Sequence, residues 1–178
     1  MPAATRLYTA REVEQLRERC ELYRGELQMM TPAGADHGRV IGNITISLGS
    51  HLKARRSGHV FGAETGFLLE RNPDTVRAPD VAVILGDRPA SDGSTSFATV
   101  TPDLVVEVLS PSDSWGEVEA KTEWWLARGV CQVWLVDPRA RLVEVVTAAG
   151  RRSYHAADTI DGGELLPGFT APLSDFFA

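Results

Sequence analysis

The apolar and polar positions of this chain change rhythm several times, and each change predicts an element. Thr9-Ala10-Arg11-Glu12 sets a hydroxyl three positions before a carboxylate, the reciprocal arrangement that caps a helix start. Val13, Leu16 and Cys20 then mark one helical face. Residues 21–30, from Glu21 to Met30, pivot on Arg24-Gly25 and predict a tight hairpin. Thr31-Pro32-Ala33-Gly34 breaks the chain. Asp36 is placed to cap a second helix over residues 37–56, whose apolar stripe is Val40, Ile41, Ile44, Leu48 and Leu52. Gly58 is expected to end it.

Strand patterns follow. His59 to Glu70 reads as one extended or hairpinned segment with bends at Gly62 and Gly66, and Asn72-Pro73-Asp74 as a turn. Val76 to Leu85 reads as the next strand. Its unbroken apolar run from Val81 predicts burial on both faces. Residues 86–101 are rich in Gly, Ser, Thr and Asp, which predicts a mobile loop. Asp103 to Leu109 is a third buried strand, ended by Ser110-Pro111. Ser112 and Asp113 are placed to cap a helix from Trp115 to Arg128 that stops at Gly129. Val130 to Val136 is a fourth strand, and Arg141 to Thr147 follows a turn at Asp137-Pro138-Arg139-Ala140. The tail reads as irregular, with Phe169, Leu173, Phe176 and Phe177 packing back on the core. A helix between the last buried strands implies a right-handed crossover, and so an α/β domain with a mixed sheet and helices on both faces.

Composition narrows the class. At 178 residues the chain is expected to form one domain with a real core. It is 43% apolar and 24% charged, as ordinary soluble proteins are. No apolar run approaches the roughly 20 residues of a membrane helix. The opening segment MPAATRLYTAREVEQ has no apolar core of a signal peptide, so a cytoplasmic protein without membrane partners is expected. Cys20 and Cys131 stand apart, outside any zinc-like pair. The net charge of −6 argues against a passive nucleic-acid coat, but less against a metal site, where bound cations reverse the local field. Sixteen arginines accompany only two lysines, Lys53 and Lys121.

Two acids stand out by position. Asp80 follows Pro79 at the head of a buried strand, and Glu107 lies within Val105-Val106-Glu107-Val108-Leu109. A buried carboxylate is costly unless a metal ion, an arginine or N–H donors compensate it. On neighbouring strands the two acids can meet at one Mg²⁺. Lys121 lies on the helix after Glu107, where its ammonium can reach back toward the same place. Each residue also has a plainer reading: Asp80 as a turn cap, Glu107 as an arginine's partner, Lys121 as a solvated helix residue. Trp124, Trp125 and Trp134 read as core or dimer contacts.

The ordered set Pro79-Asp80, Glu107-Val108-Leu109-Ser110-Pro111-Ser112 and Lys121 resembles the Uma2 family, also called DUF820. So do Gly25-Glu26-Leu27, His37-Gly38-Arg39-Val40, Thr65-Gly66-Phe67, Gly129-Val130 and Trp134-Leu135-Val136-Asp137-Pro138. The resemblance spans residues 20–147 and places the chain in the PD-(D/E)xK nuclease-like superfamily. It implies a restriction-endonuclease-like α-β-β-β-α-β core, here with an added N-terminal helix and hairpin. It implies Asp80, Glu107 and the Val108 carbonyl as ligands of Mg²⁺ or Mn²⁺, and Lys121 as base or water-positioning group. In the wider superfamily the lysine follows the acid by two positions on the same strand, and that position here is Leu109. Glu21, Glu26, His37 and Arg39 are secondary candidates near substrate or ligands.

Two functions fit these residues. One is a Mg²⁺- or Mn²⁺-dependent DNA endonuclease, expected as a homodimer through the apolar strands of 130–147 and exposed tryptophans. The other is a catalytically silent, nuclease-fold protein that binds nucleic acid or serves as an accessory. Divalent-ion binding and the direction of Lys121 discriminate them.

Overall fold

The computed structural model describes residues 6–16 and 18–178. The chain runs α1 (Ala10–Val13), β1 (Cys20–Tyr23), β2 (Glu26–Met29), α2 (Ala35–Arg55), β3 (Gly58–Phe61), β4 (Phe67–Glu70), β5 (Thr75–Arg77) and β6 (Val81–Leu85). It continues through β7 (Leu104–Val108), α3 (Trp115–Ala127), β8 (Gln132–Asp137), β9 (Leu142–Thr147), β10 (Gly150–His155), β11 (Thr159–Asp161), β12 (Thr170–Pro172) and α4 (Leu173–Phe176).

A six-stranded sheet in the order β10-β9-β8-β7-β6-β3 forms the centre. β7 and β8 are parallel, with α3 between them in the chain, and the other pairs are antiparallel. With β4 and β5 set aside, the sequence of elements is α2-β3-β6-β7-α3-β8, the expected α-β-β-β-α-β core. β4 and β5 instead join the N-terminal hairpin in a second sheet, β2-β1-β5-β4.

The two helices cover opposite faces of the central sheet. Val40, Ile44, Leu48 and Leu52 of α2 pack with Val81, Val83, Leu104 and Val106. Trp124 and Trp125 of α3 pack with Ala82, Ile84, Val105 and Val133. Each fully buried aliphatic side chain contributes about 1.5–3 kcal/mol of transfer free energy. The alternation along β7 therefore sends Leu104 and Val106 to α2, and Val105 and Glu107 to α3.

Several local expectations are corrected. The Thr9 capping box is present, but α1 lasts one turn and Cys20 opens β1 instead of continuing a helical face. Asp36 does not cap α2. Gly34 occupies that position without a side-chain bond, and the helix ends at Arg56 in the left-handed region, ahead of Gly58. The segment from His59 to Glu70 divides between the two sheets. So does Val76 to Leu85, because Pro79 has no N–H for a ladder and the chain changes sheet at Ala78-Pro79-Asp80. Ser114, not Ser112 or Asp113, caps α3.

The loop 86–101 is tied down: Leu68 N–H donates to Ala98 O at 2.8 Å and Ala98 N–H to Gly66 O at 2.9 Å. Gly66 is required at this crossing, since a Cβ there would lie 2.5 Å from the Phe97 ring. The tail is regular, forming β10, β11, β12 and α4, and Phe169, Leu173, Phe176 and Phe177 join the core as expected. Trp124, Trp125 and Trp134 are buried within the chain, and β8 and β9 are interior strands without a free edge.

Candidate active site

β6 and β7 run antiparallel, and their last paired residues at one end are Val81 and Val106. Asp80 and Glu107 lie one step beyond, where the strands part. Here Asp80 Oδ2 accepts from Val108 N–H at 2.7 Å. His37, from the first turns of α2, donates Nε2–H to the Val108 carbonyl at 2.7 Å and lies 3.5 Å from Asp80 Oδ2. That bond fixes the proton on Nε2, because a carbonyl only accepts. Nδ1 is buried with no partner among the described residues.

Glu107 points to α3. Its Oε2 accepts from Lys121 Nζ at 3.0 Å and its Oε1 from Trp125 Nε1 at 2.9 Å. Lys121 and Trp125 are one helical turn apart, so α3 presents both to the same acid. Lys121 Nζ is also 3.2 Å from Glu21 Oε1. Glu21, buried on β1, accepts from Ala78 N–H at 2.8 Å and from Arg77 Nη1 at 2.7 Å. The N-terminal hairpin reaches the central sheet through these contacts. Its turn requires positive φ at Arg24 and Gly25, +50° and +84°, which only a residue without a Cβ adopts freely at the second position.

An open cleft of about 650 Å³ is lined by Glu21, Arg77, Glu107, Val108, Asp113, Glu117 and Lys121, among others. Asp80 does not line it directly and is 19% exposed at its side chain.

The charges are unevenly compensated. Burial pushes the Glu107 carboxyl up to about 7; Asp80 and Glu21 add to the shift and Lys121 opposes it. Burial also raises Asp80, against the hydrogen bond from Val108 N–H. At Glu21 burial acts in the same sense, but Lys121, Arg77 and the Ala78 N–H overcome it and hold the acid low. Burial disfavours the Lys121 ammonium, yet Glu107 and Glu21 outweigh it and hold it above its ordinary value. Glu21 thus has its cations, whereas Asp80 and Glu107 are short of positive charge. Two crowded carboxylates beside a peptide carbonyl are hard oxygen donors of the kind Mg²⁺ prefers. No group of three or more His, Cys, Asp or Glu suited to a metal meets among the described residues. Mg²⁺ does not need one, since one or two carboxylates and several waters satisfy it.

A family model described as "Uma2: Putative restriction endonuclease" matches residues 6–174. The chain belongs to the Uma2 family. No curated protein matches it. A crystal structure from Anabaena variabilis, described as a putative nuclease belonging to DUF820, shares its fold. The TM-score is 0.79 at 20% identity, covering 95% of this chain and 97% of that one.

In this Uma2 chain Asp80, Glu107, Lys121, His37, Glu21 and the Val108 carbonyl come together. Glu26 and Arg39 do not. Glu26 is exposed at the start of β2. Arg39 donates to the Phe177 carbonyl at 2.8 Å and pairs with Asp36, tying α2 to the end of the fold. Sequence reasoning missed Arg77, Gln28 and Trp125. Trp125 was accessible through its four-residue spacing from Lys121. Arg77 was signalled only by a charge on a strand whose residues are all buried.

Proposed function

We propose that this Uma2 chain is a Mg²⁺- or Mn²⁺-dependent DNA endonuclease that hydrolyses phosphodiester bonds at the parted ends of β6 and β7. The observation that carries the reading is Asp80 held on the N–H of Val108, the residue after Glu107, with Lys121 on Glu107. Family membership supports nuclease chemistry, and the donor set supports the ion.

Asp80, Glu107 and the Val108 carbonyl would hold the metal, with His37 orienting the carbonyl and Asp80. When bound, the ion supplies Lewis acidity toward the phosphoryl oxygen and makes water acidic enough to attack near neutral pH. Lys121, held as an ammonium, orients the attacking water and counters charge on the phosphoryl oxygens. That role suits it better than proton abstraction, because its pKa is raised. A homodimer would let each copy cut one strand of a duplex.

One observation favours the silent alternative. Lys121 and Trp125 already satisfy both oxygens of Glu107 without a metal. The two readings separate on incubating purified protein with supercoiled, linear and single-stranded DNA in Mg²⁺ or Mn²⁺, beside Asp80→Ala, Glu107→Gln and Lys121→Met. Cleavage stopped by EDTA and lost in all three variants is expected. No cleavage together with no Mn²⁺ binding by calorimetry would leave the accessory reading. Sedimentation alongside, and the ratio of nicked to linear product, decides the dimer.

A further inference from the structure

We propose that Arg77 is a phosphate-binding residue of the cleft, presenting its free guanidinium nitrogen to a nonbridging oxygen of a nucleic-acid phosphodiester; this rests on the phosphodiesterase reading above. The Arg77 side chain is only 10% exposed, and it lines the cleft with Glu21, Gln28, Tyr23 and Lys121. Nη1 is spoken for, donating to Glu21 Oε2 at 2.7 Å and to Gln28 Oε1 at 2.9 Å. Nε is buried without a partner, and Nη2, which is not buried in that way, donates to no described residue and so faces the cleft. A guanidinium carries five donors, and buried donors in folded proteins are nearly always satisfied. One buried N–H of this guanidinium, on Nε, lacks an acceptor, and the two on Nη2 are turned to the cleft.

A purely structural role does not account for the arrangement. Arg77 shares with Lys121 at 3.2 Å and the Ala78 N–H at 2.8 Å in holding Glu21 charged, but that task occupies only Nη1 of the guanidinium. The guanidinium is instead held in a set orientation. Its carbon stands 4.5 Å over the Tyr23 ring and 5.7 Å from that of Trp124, while Nη1 is anchored at two points. A fork fixed in this way needs no rearrangement when an oxyanion arrives.

Charge points to the same ligand. The cleft is lined by four acids, Glu21, Glu107, Asp113 and Glu117, and by two cations, Arg77 and Lys121. A polyanion entering it meets net negative charge unless these cations are presented to it. Lys121 is engaged by Glu107 and Glu21. Arg77, joined to Lys121 through Glu21 and one ion pair away from the Lys121–Glu107 couple, adds a second cation whose Nη2 no carboxylate engages.

The test follows the arginine side-chain ¹⁵N resonances of labelled protein during titration with a 12-nucleotide DNA strand. Ca²⁺ serves as a non-turnover ion, with a second series in its absence. The Arg77 signal is assigned from its contact to the Tyr23 ring and from its loss in Arg77→Lys. It is expected to shift saturably with the DNA. Arg77→Lys keeps a cation beside Glu21 but loses the second nitrogen, and is expected to bind the strand about 10- to 100-fold more weakly, the loss of one charged hydrogen bond. An Arg77 signal unmoved at saturation, a variant that binds as well as the parent, or no DNA binding at all would each overturn the proposal. Should Arg77→Lys fail to fold, the parent's own resonance still decides. Docking at Arg77 with no hydrolysis of this strand or of plasmid DNA in Mg²⁺ or Mn²⁺, and with no Mn²⁺ binding by calorimetry, would instead sink the endonuclease reading and leave the phosphate site standing.

Discussion

Lys121 Nζ lies 3.0 Å from Glu107 Oε2, on the helix that follows the acid's own strand and not on the strand itself. The chain turns at Ser110–Asp113, where Asp113 accepts from Ser110 N–H and Oγ, and α3 then returns over the sheet. A lysine two positions after Glu107 would share the acid's face of β7, but that position is Leu109. The helix supplies the ammonium instead. Lys121→Met is therefore expected to abolish cleavage and to destabilise the fold by roughly 3 kcal/mol, as losing one partner of a buried ion pair does. Lys121→Arg is expected to restore most of the stability and little of the cleavage. Urea unfolding beside a plasmid assay checks both.

Glu107 makes the metal-free fold sensitive to pH. Its carboxyl is raised from 4.5 to about 7, so between those values the folded chain holds a proton that the unfolded chain has released. Stability then falls as pH rises through this window, by at most about 3 kcal/mol. Glu21 acts in the opposite sense: its acid is held low, so its contribution is present above its ordinary value and lost as the solution is acidified. Denaturant melts of EDTA-treated protein from pH 5 to 8 should show the decline, and Glu107→Gln should flatten it.

The same proton bears on the metal. An ion that needs the Glu107 carboxylate must displace the proton, so Mn²⁺ affinity is expected to rise up to about tenfold per pH unit below 7 and to level off above it. Calorimetry in buffers of different ionisation enthalpy measures the released proton directly. A pH-independent affinity with no proton release would remove Glu107 from the ligand set.

Much of this site was legible in the sequence, for reasons that differ by residue. Arg24-Gly25 announces its hairpin because the turn needs positive φ. Val81–Leu85 and Leu104–Val108 announce buried strands because both faces are covered. Asp80 and Glu107 are conspicuous as acids at or within those apolar runs. Lys121 is weakly conspicuous, since a helix lysine is ordinarily solvated; its rarity in this chain and its place on the helix after Glu107 point to it, and the family's ordered motif strengthens the choice. Glu21 and Arg77 lie 56 positions apart, and no local pattern records a pairing at that range. β10 was missed because it is an edge strand in which only Tyr154 is buried, so Gly150–His155 lacks an apolar face to read. The break at Pro79 was hidden because Thr75–Arg77 and Val81–Leu85 are both buried, which merges two strands of different sheets into one pattern.

Arg39 offers a control against over-reading the family motif. It stands two residues after His37 in sequence, yet its guanidinium reaches Phe177 and Asp36 instead of the cleft. Arg39→Ala is expected to lower stability by about 1 kcal/mol, the worth of an ordinary hydrogen bond, and to leave cleavage per folded molecule unchanged. A loss of turnover without a loss of stability would place Arg39 on the substrate.

Trp125 separates packing from polarity at the acid. Its ring lies edge-on to Phe67 at 6.4 Å and to Trp124 at 4.9 Å, while its N–H donates to Glu107 Oε1. Trp125→Phe keeps an aromatic edge in the core and removes the donor, so Glu107 loses a bond that favours its charged form. The variant is expected to be less stable by about 1–2 kcal/mol. Its Mn²⁺ affinity should fall most at low pH and recover as pH rises, because a carboxyl with one fewer donor releases its proton later. If the affinity fell equally at every pH, the indole would be acting through packing alone, and the Glu107 hydrogen bond would have no part in tuning the site.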